Sequence, residues 1–146
     1  MSYRKEQGLR GLAFCFIFIL TVSGCGDGAP PIGLVTGKVT YKGKPVSAAT
    51  VSFMPSEGRP SWGITDAEGN YKLHWDEDHD GAEVDNHKIT IAFIPGSPGE
   101  EAALAAGKAV IPTDRKEIIA RYGNFETTTL QRDVKPGTQV IDLSLD

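Results

Sequence analysis

Residues 35–55 read VTGKVTYKGKPVSAATVSFMP. Val35, Val39 and Tyr41 fall on one side of a two-residue repeat, and Thr36, Lys38 and Thr40 fall on the other. After the turn-forming Lys42-Gly43-Lys44-Pro45, Val51 and Phe53 take up the same alternation. A period of two is that of a strand with one buried face, and Gly43 supplies the positive φ of a tight turn. Two such strands leave an apolar face that needs a second layer to cover it.

The rest of the chain provides that layer. SWGIT (61–65) offers Trp62 and Ile64 as inward residues, and YKLHW (71–75) offers Tyr71, Leu73 and Trp75 with Lys72 and His74 outward. HKITIAFI (87–94) offers Ile89, Ile91 and Phe93; TLQRDV (129–134) and VIDLSL (140–145) follow, the last with Ile141, Leu143 and Leu145 inward. Asp66-Ala67-Glu68-Gly69-Asn70 and Lys135-Pro136-Gly137 punctuate them. Seven short strands with regular turns predict an all-β sandwich around Tyr41, Phe53, Trp62, Tyr71, Trp75 and Phe93. Arg132 falls on an inward parity, where it can snorkel at a sheet edge and protect that edge from pairing.

One or two short helical turns interrupt this pattern. Ser97-Pro98-Gly99-Glu100 matches a capping box with proline at the first helical position, and Gly107 offers a stop. That segment reads equally as a short helix or as a polar insertion, because isolated helices of this length are marginal. In TDRKEIIARYGN (113–124), Ile118, Ile119 and Tyr122 stand at helical spacing, which predicts a helical turn against the sandwich.

GKVTYKGKPVSAATVSFMP (37–55) followed by GITDAEGNYKL (63–73) resembles the carboxypeptidase regulatory-like group. The tail RYGNFETTTLQRDVKPGTQVIDLSL (121–145) resembles the last strands of small bacterial lipoproteins that carry one such domain. The resemblance implies a transthyretin-like (prealbumin-like, Ig-like) β-sandwich over residues 34–146. In its T-D-x-x-G-x-Y core, Asp66 accepts hydrogen bonds from amides two or three residues on, Gly69 takes a positive φ and Tyr71 restarts the strand facing inward. These are structural tasks. Relatives in that fold group that hydrolyse 5-hydroxyisourate carry a C-terminal Tyr-Arg-Gly-Ser motif and paired histidines that have no counterparts here. The fold decides no function by itself.

The first residues have a different character. Arg4, Lys5 and Arg10 precede the apolar Leu12–Leu20, LAFCFIFIL, and the small residues Ser23 and Gly24 lead to Cys25. This is the layout of an export signal over residues 1–24. Val22-Ser23-Gly24-Cys25 resembles a bacterial lipobox, which implies cleavage before Cys25 and acylation of its thiol and new amine, palmitate among the chains. GDGAPPIG (26–33) reads as a tether behind it, so that residues 25–33 join the lipid to the domain. The expected setting is the cell envelope, on an inner or an outer membrane, facing a protein or glycan partner.

The chain has two cysteines, Cys15 and Cys25. With the first in the signal and the second lipidated, none remains for a disulfide, a thiolate nucleophile or a cysteine zinc site. The formal net charge of −4 falls to −6 without residues 1–24, which hold Arg4, Lys5 and Arg10 against Glu6. That balance disfavours nucleic acid as a partner.

One stretch invites a metal. DEDHDG (76–81) puts Asp76, Asp78 and Asp80 at alternate positions before Gly81, the pattern of the front half of a calcium loop. The pattern breaks at His87, where a bidentate glutamate belongs, so Glu83 or Asp85 would have to close an irregular shell of five carboxylates. The rival reading is a solvated turn between two strands. No cofactor is otherwise implied. His74, His79 and His87 read as exposed, no Gly-x-Ser-x-Gly motif is present, and Gly26-Asp27-Gly28 has no strand before it to make a phosphate loop. Trp62, beside Arg59-Pro60-Ser61, is placed for the core by its phase with Ile64 and otherwise for stacking on a sugar. The expected function is non-enzymatic binding or structural work at a membrane; the alternatives are a calcium-stabilised adhesion module and an accessory or degenerate hydrolase domain.

Overall fold

A computed structural model describes residues 30–95, 98–108 and 111–146. The export signal, Cys25 and Ser97 of the capping box lie outside the described residues. Ten strands and two helices follow in the order β1 (Ile32–Tyr41), β2 (Lys44–Pro45), β3 (Ala49–Pro55), β4 (Ser61–Ile64), β5 (Asn70–Lys72), β6 (Ala82–Glu83), β7 (Asn86–Phe93), α1 (Pro98–Ala105), α2 (Thr113–Tyr122), β8 (Gln131–Asp133), β9 (Gly137–Val140) and β10 (Leu143–Leu145).

Two layers result. In one, β4, β3, β7 and β8 lie side by side, all antiparallel. In the other, β1 is the common partner: β2, β5 and β6 pair with it antiparallel, β9 and β10 parallel. The protein is an all-β sandwich, as the alternation predicts. Each of the seven expected strands has a counterpart. The surplus comes from the short β2 and β6, and from β9 (137–140), which forms mostly ahead of the expected last strand. β1 begins at Ile32, two residues inside the expected tether.

β1 can serve so many partners because of its glycines. A Cβ on Gly37 would lie 1.9 Å from the carbonyl oxygen of Ile141, and one on Gly33 would lie 2.2 Å from that of Lys135. The chain leading into and out of β9 therefore crosses β1 at backbone contact, a distance only glycine permits. At this crossing the Tyr71 hydroxyl donates to the Ile141 carbonyl at 2.6 Å. Burial, then the nearby Asp142 carboxylate, holds the Tyr71 phenol well above its usual range.

Between the layers lie Val35, Val39, Leu73, Leu143 and Leu145 from one side and Val51, Phe53, Ile89 and Ile91 from the other, all at most 1% exposed. Each such side chain contributes roughly 1.5–3 kcal/mol on burial. The Phe53 and Tyr71 rings meet across the gap at 6.2 Å. α2 closes one end by burying Ile118 and Tyr122 and leaving Ile119 largely exposed; it is a ten-residue helix, longer than the turn expected. Residues 98–105 adopt the helical alternative. Gly107, at φ +67°, ends α1 with Gly107 N–H donating to Leu104 and Lys108 N–H to Ala103, a glycine-terminated stop.

Three expectations of burial are overturned, the first at Trp75, which is only partly buried and lies outside the core. In β4 the inward residues are Ser61 and Gly63, followed by Thr65, whereas Trp62 is 45% and Ile64 54% exposed. A Cβ on Gly63 would stand 2.3 Å from the carbonyl oxygen of Lys72, so the neighbouring chain fills the space a large side chain would need. Trp62 and His74 exchange both backbone hydrogen bonds there, which ties β4 to the chain after β5 and joins the two sheets along that edge. His87, expected to be exposed, is fully buried: it shares the parity of Ile89 and Ile91 and rests its Nε2 2.8 Å from the Glu83 carbonyl.

Candidate functional site

The acidic stretch 76–85 forms the longest excursion between β5 and β7. Its carboxylates are turned to different neighbours. Asp76 Oδ1 accepts from the backbone N–H groups of Asp78 (2.9 Å) and His79 (2.7 Å) and lies 2.8 Å from His79 Nδ1. Partial desolvation opposes ionisation of Asp76, but the hydrogen bonds from the His79 ring and these two amides outweigh it and hold the carboxyl below its usual range. Asp80 pairs with Lys72 and stands 2.8 Å from His74 Nδ1; the Lys72 hydrogen bond chiefly depresses its pKa.

The second half of the loop is tied to residues 56–60. Glu83 Oε1 accepts from Trp75 Nε1 at 3.0 Å and from Arg59 N–H at 3.3 Å. Asp85 Oδ2 accepts from the Ser56 hydroxyl at 2.8 Å and the Ser56 N–H at 3.1 Å, and Ser56 lowers its pKa. A Cβ on Gly58 would strike the Glu83 carboxylate at 2.1 Å, so Gly58 leaves room for that carboxylate.

The five residues read as calcium ligands, Asp76, Asp78, Asp80, Glu83 and Asp85, are therefore not brought together. No cluster of three or more His, Cys, Asp or Glu with metal-holding geometry occurs among the described residues. Gly81 has a reason of its own: at φ +112°, its Cβ would lie 2.4 Å from the Gly33 carbonyl, where the loop passes β1. The sixth-position glycine thus serves close packing.

The loop does bring together residues that neither its charge pattern nor strand parity joined. Arg59, Trp62, Trp75, Asp76, Glu77 and Asp78 line a cleft of about 640 Å³. Trp75 is held by Glu83 at its indole N–H, by the Arg59 guanidinium 5.1 Å from its ring centre and by the His79 ring at 6.0 Å, nearly edge-on. Trp62 leans on His74 at 5.5 Å and leaves much of its ring open. The one advance sign of this cleft is Arg59-Pro60-Ser61-Trp62, a tryptophan directly after a loop.

A second hollow, about 590 Å³, lies between α2 and the β1–β2 turn. Its charges are largely spent on each other. Glu117 accepts from the Tyr41 hydroxyl and pairs with Lys42 at 2.9 Å, while Arg115 stacks 4.8 Å from the Phe93 ring centre.

No family model and no characterised protein matches the chain. Among solved structures it is similar to a DUF3823 family protein from Parabacteroides merdae, with a TM-score of 0.38 and 13% identity. The likeness covers 80% of this chain and 46% of that one, so the chain spans less than half the length of that protein.

Proposed function

We propose that this chain is an exported lipoprotein whose single transthyretin-like sandwich, of the carboxypeptidase regulatory-like kind, binds a partner in the cell envelope and catalyses no reaction. The observation that carries the anchor is Val22-Ser23-Gly24-Cys25 placed directly behind Leu12–Leu20. Acyl chains on Cys25 would each contribute about 0.8 kcal/mol per buried methylene, and more than one chain is needed for stable attachment. Among the described residues no helix is long and apolar enough to cross a membrane. Only Gly26 to Pro31 separate Cys25 from the first residue of β1. Fully extended, that connection reaches about 20 Å, which would keep the sandwich close to the bilayer.

The histidines support a binding role over a catalytic one. His87 is buried against a backbone carbonyl, His79 is taken up by Asp76 within its own turn, and His74 shares Asp80 with Lys72. Metabolic labelling with an alkyne palmitate analogue tests the anchor. The wild-type chain should be labelled and sediment with membranes, and Cys25→Ala should lose both properties. An unlabelled wild-type chain recovered in the soluble fraction would overturn the proposal.

A further inference from the structure

We infer that the cleft between Trp62 and Trp75 binds an uncharged glycan, with a sugar ring lying on the open face of Trp62. The inference rests on the reading of the domain as a binding module, and it adds the class of ligand.

The argument begins with the tryptophan. An indole is among the largest apolar groups a chain can bury, yet Trp62 stands 45% exposed on a strand whose opposite face is fully buried. It is not a loose side chain. Its backbone is locked on both sides, by Ser52 in β3 and by His74, and its ring is propped on the His74 ring at 5.5 Å. Asp80 in turn holds His74 Nδ1 at 2.8 Å. The result is a rigid aromatic platform, open on one side, that loses little side-chain entropy on binding.

The opposite wall decides the occupant. Trp75 is fixed by its bond to Glu83, and Asp76, Glu77 and Asp78 follow it in the chain. Glu77 and Asp78 are exposed and line the cleft with carboxylates open to a ligand. A ligand suited to this cleft has one flat C–H face for the indole and a rim of hydroxyls that can donate to carboxylates and accept from Arg59. A pyranose has both. Three carboxylates against Arg59 leave the cleft with an acidic balance, which rejects uronic acids, phosphates and sulfates by like-charge repulsion. Cationic ligands such as quaternary ammonium groups also favour aromatic faces near carboxylates. Here, however, the Arg59 guanidinium already stands over the Trp75 ring, 5.1 Å from its centre, so the enclosure such a cation needs is occupied by the protein's own charge.

The test uses a built-in reporter. The chain has two tryptophans, and both line this cleft, so indole fluorescence reads the cleft alone. Full-length protein in a detergent without a sugar head group would be titrated to millimolar levels with neutral oligosaccharides of glucose, mannose, galactose and N-acetylglucosamine. Polygalacturonate fragments and choline serve as the anionic and cationic arms. The expected result is a saturable fluorescence change with at least one neutral oligosaccharide and none with the charged probes. Trp62→Ala should weaken binding at least about tenfold, the loss of one central aromatic contact, and Trp62→Tyr should retain most of it. Affinity electrophoresis in gels containing the matching polysaccharide reads the Trp62→Ala loss independently of fluorescence. An unchanged melting temperature for Trp62→Ala separates loss of the site from loss of the fold. Saturation by choline or polygalacturonate alone, or no response to any neutral sugar, overturns the inference. Palmitate labelling is indifferent to these substitutions, so failure of the glycan site leaves the anchor reading to stand or fall on its own.

Discussion

At Gly81 three demands meet in one residue: a backbone at φ +112°, a passing strand at backbone contact, and the end of a charged turn. A Cβ there would stand 2.4 Å from the Gly33 carbonyl oxygen and 2.7 Å from an Ile32 methyl group. The first obstacle is main chain inside the β1–β6 pairing and has no rotamer to escape into. Gly81→Ala should therefore cost more than the ordinary penalty of a left-handed residue, on the order of 1–3 kcal/mol, read as a lower urea midpoint at unchanged slope. A midpoint equal to that of the wild type would show that the loop can lift from β1 freely. Gly69, at φ +82°, belongs to the same class, and its role was legible in advance because Asp66 and Tyr71 frame it. Asp66 accepts from the amides of Glu68 and Asn70, a reach of two and four residues. Gly81 was harder to read because its closest neighbour lies some fifty positions away in the chain, and a local pattern assigns it to a metal loop instead.

At the scale of elements, strand phase was legible wherever the buried parity carried the large residues. β1 and β3 alternate as written, and so does the run through Ile141, Leu143 and Leu145; β7 keeps Ile89 and Ile91 inward but buries Thr90 between them as well. β4 inverts because its inner face is crossed by backbone at Gly63, where a larger side chain has no room; hydrophobicity alone points the other way. His87 shows the opposite case: its strand parity with Ile89 and Ile91 buries a ring whose titratable character suggests exposure. The turn at 76–81 shows the same limit. Alternate aspartates announce charge, and only the fold shows that Asp80 is engaged by Lys72 and His74 and that Asp76 closes its own turn. Calcium would have to break these bonds to gather the five carboxylates. Thermal melts with and without millimolar calcium should accordingly superimpose. A rise in melting temperature on adding calcium, reversed by a chelator and abolished in Asp78→Asn, would show that the loop rearranges around the ion.

Across the whole molecule, the described residues contain no cysteine, so no disulfide crosslinks the sandwich, and its core is assisted by polar ties within turns and between distant segments. Several of these ties share a sign. Asp66 is held below its usual range by Asn70, Asp80 by Lys72, Asp85 by Ser56 and Glu117 by Tyr41 and Lys42. Asp76 shifts the same way once its hydrogen bonds overcome desolvation. For each, the folded chain releases its proton at a lower pH than the unfolded chain does. The unfolded state therefore binds more protons in that window, and stability rises with pH across it. The contribution is fully present above the ordinary carboxylate range, near pH 4, and is lost as the pH falls through the depressed folded values. Asp66 is exposed and the other four are half-exposed, so water and salt screen each tie and the effect lies in their number. The melting temperature should hold nearly level from neutral pH to about pH 5 and fall steadily below about pH 4. Added salt should flatten the fall, and Asp80→Asn should make the acid limb shallower while lowering the neutral plateau. Melting curves that coincide at neutral pH and at about pH 3 would mean that these carboxylates are as free in the folded protein as in the unfolded chain, and that the apolar layers hold the sandwich unaided.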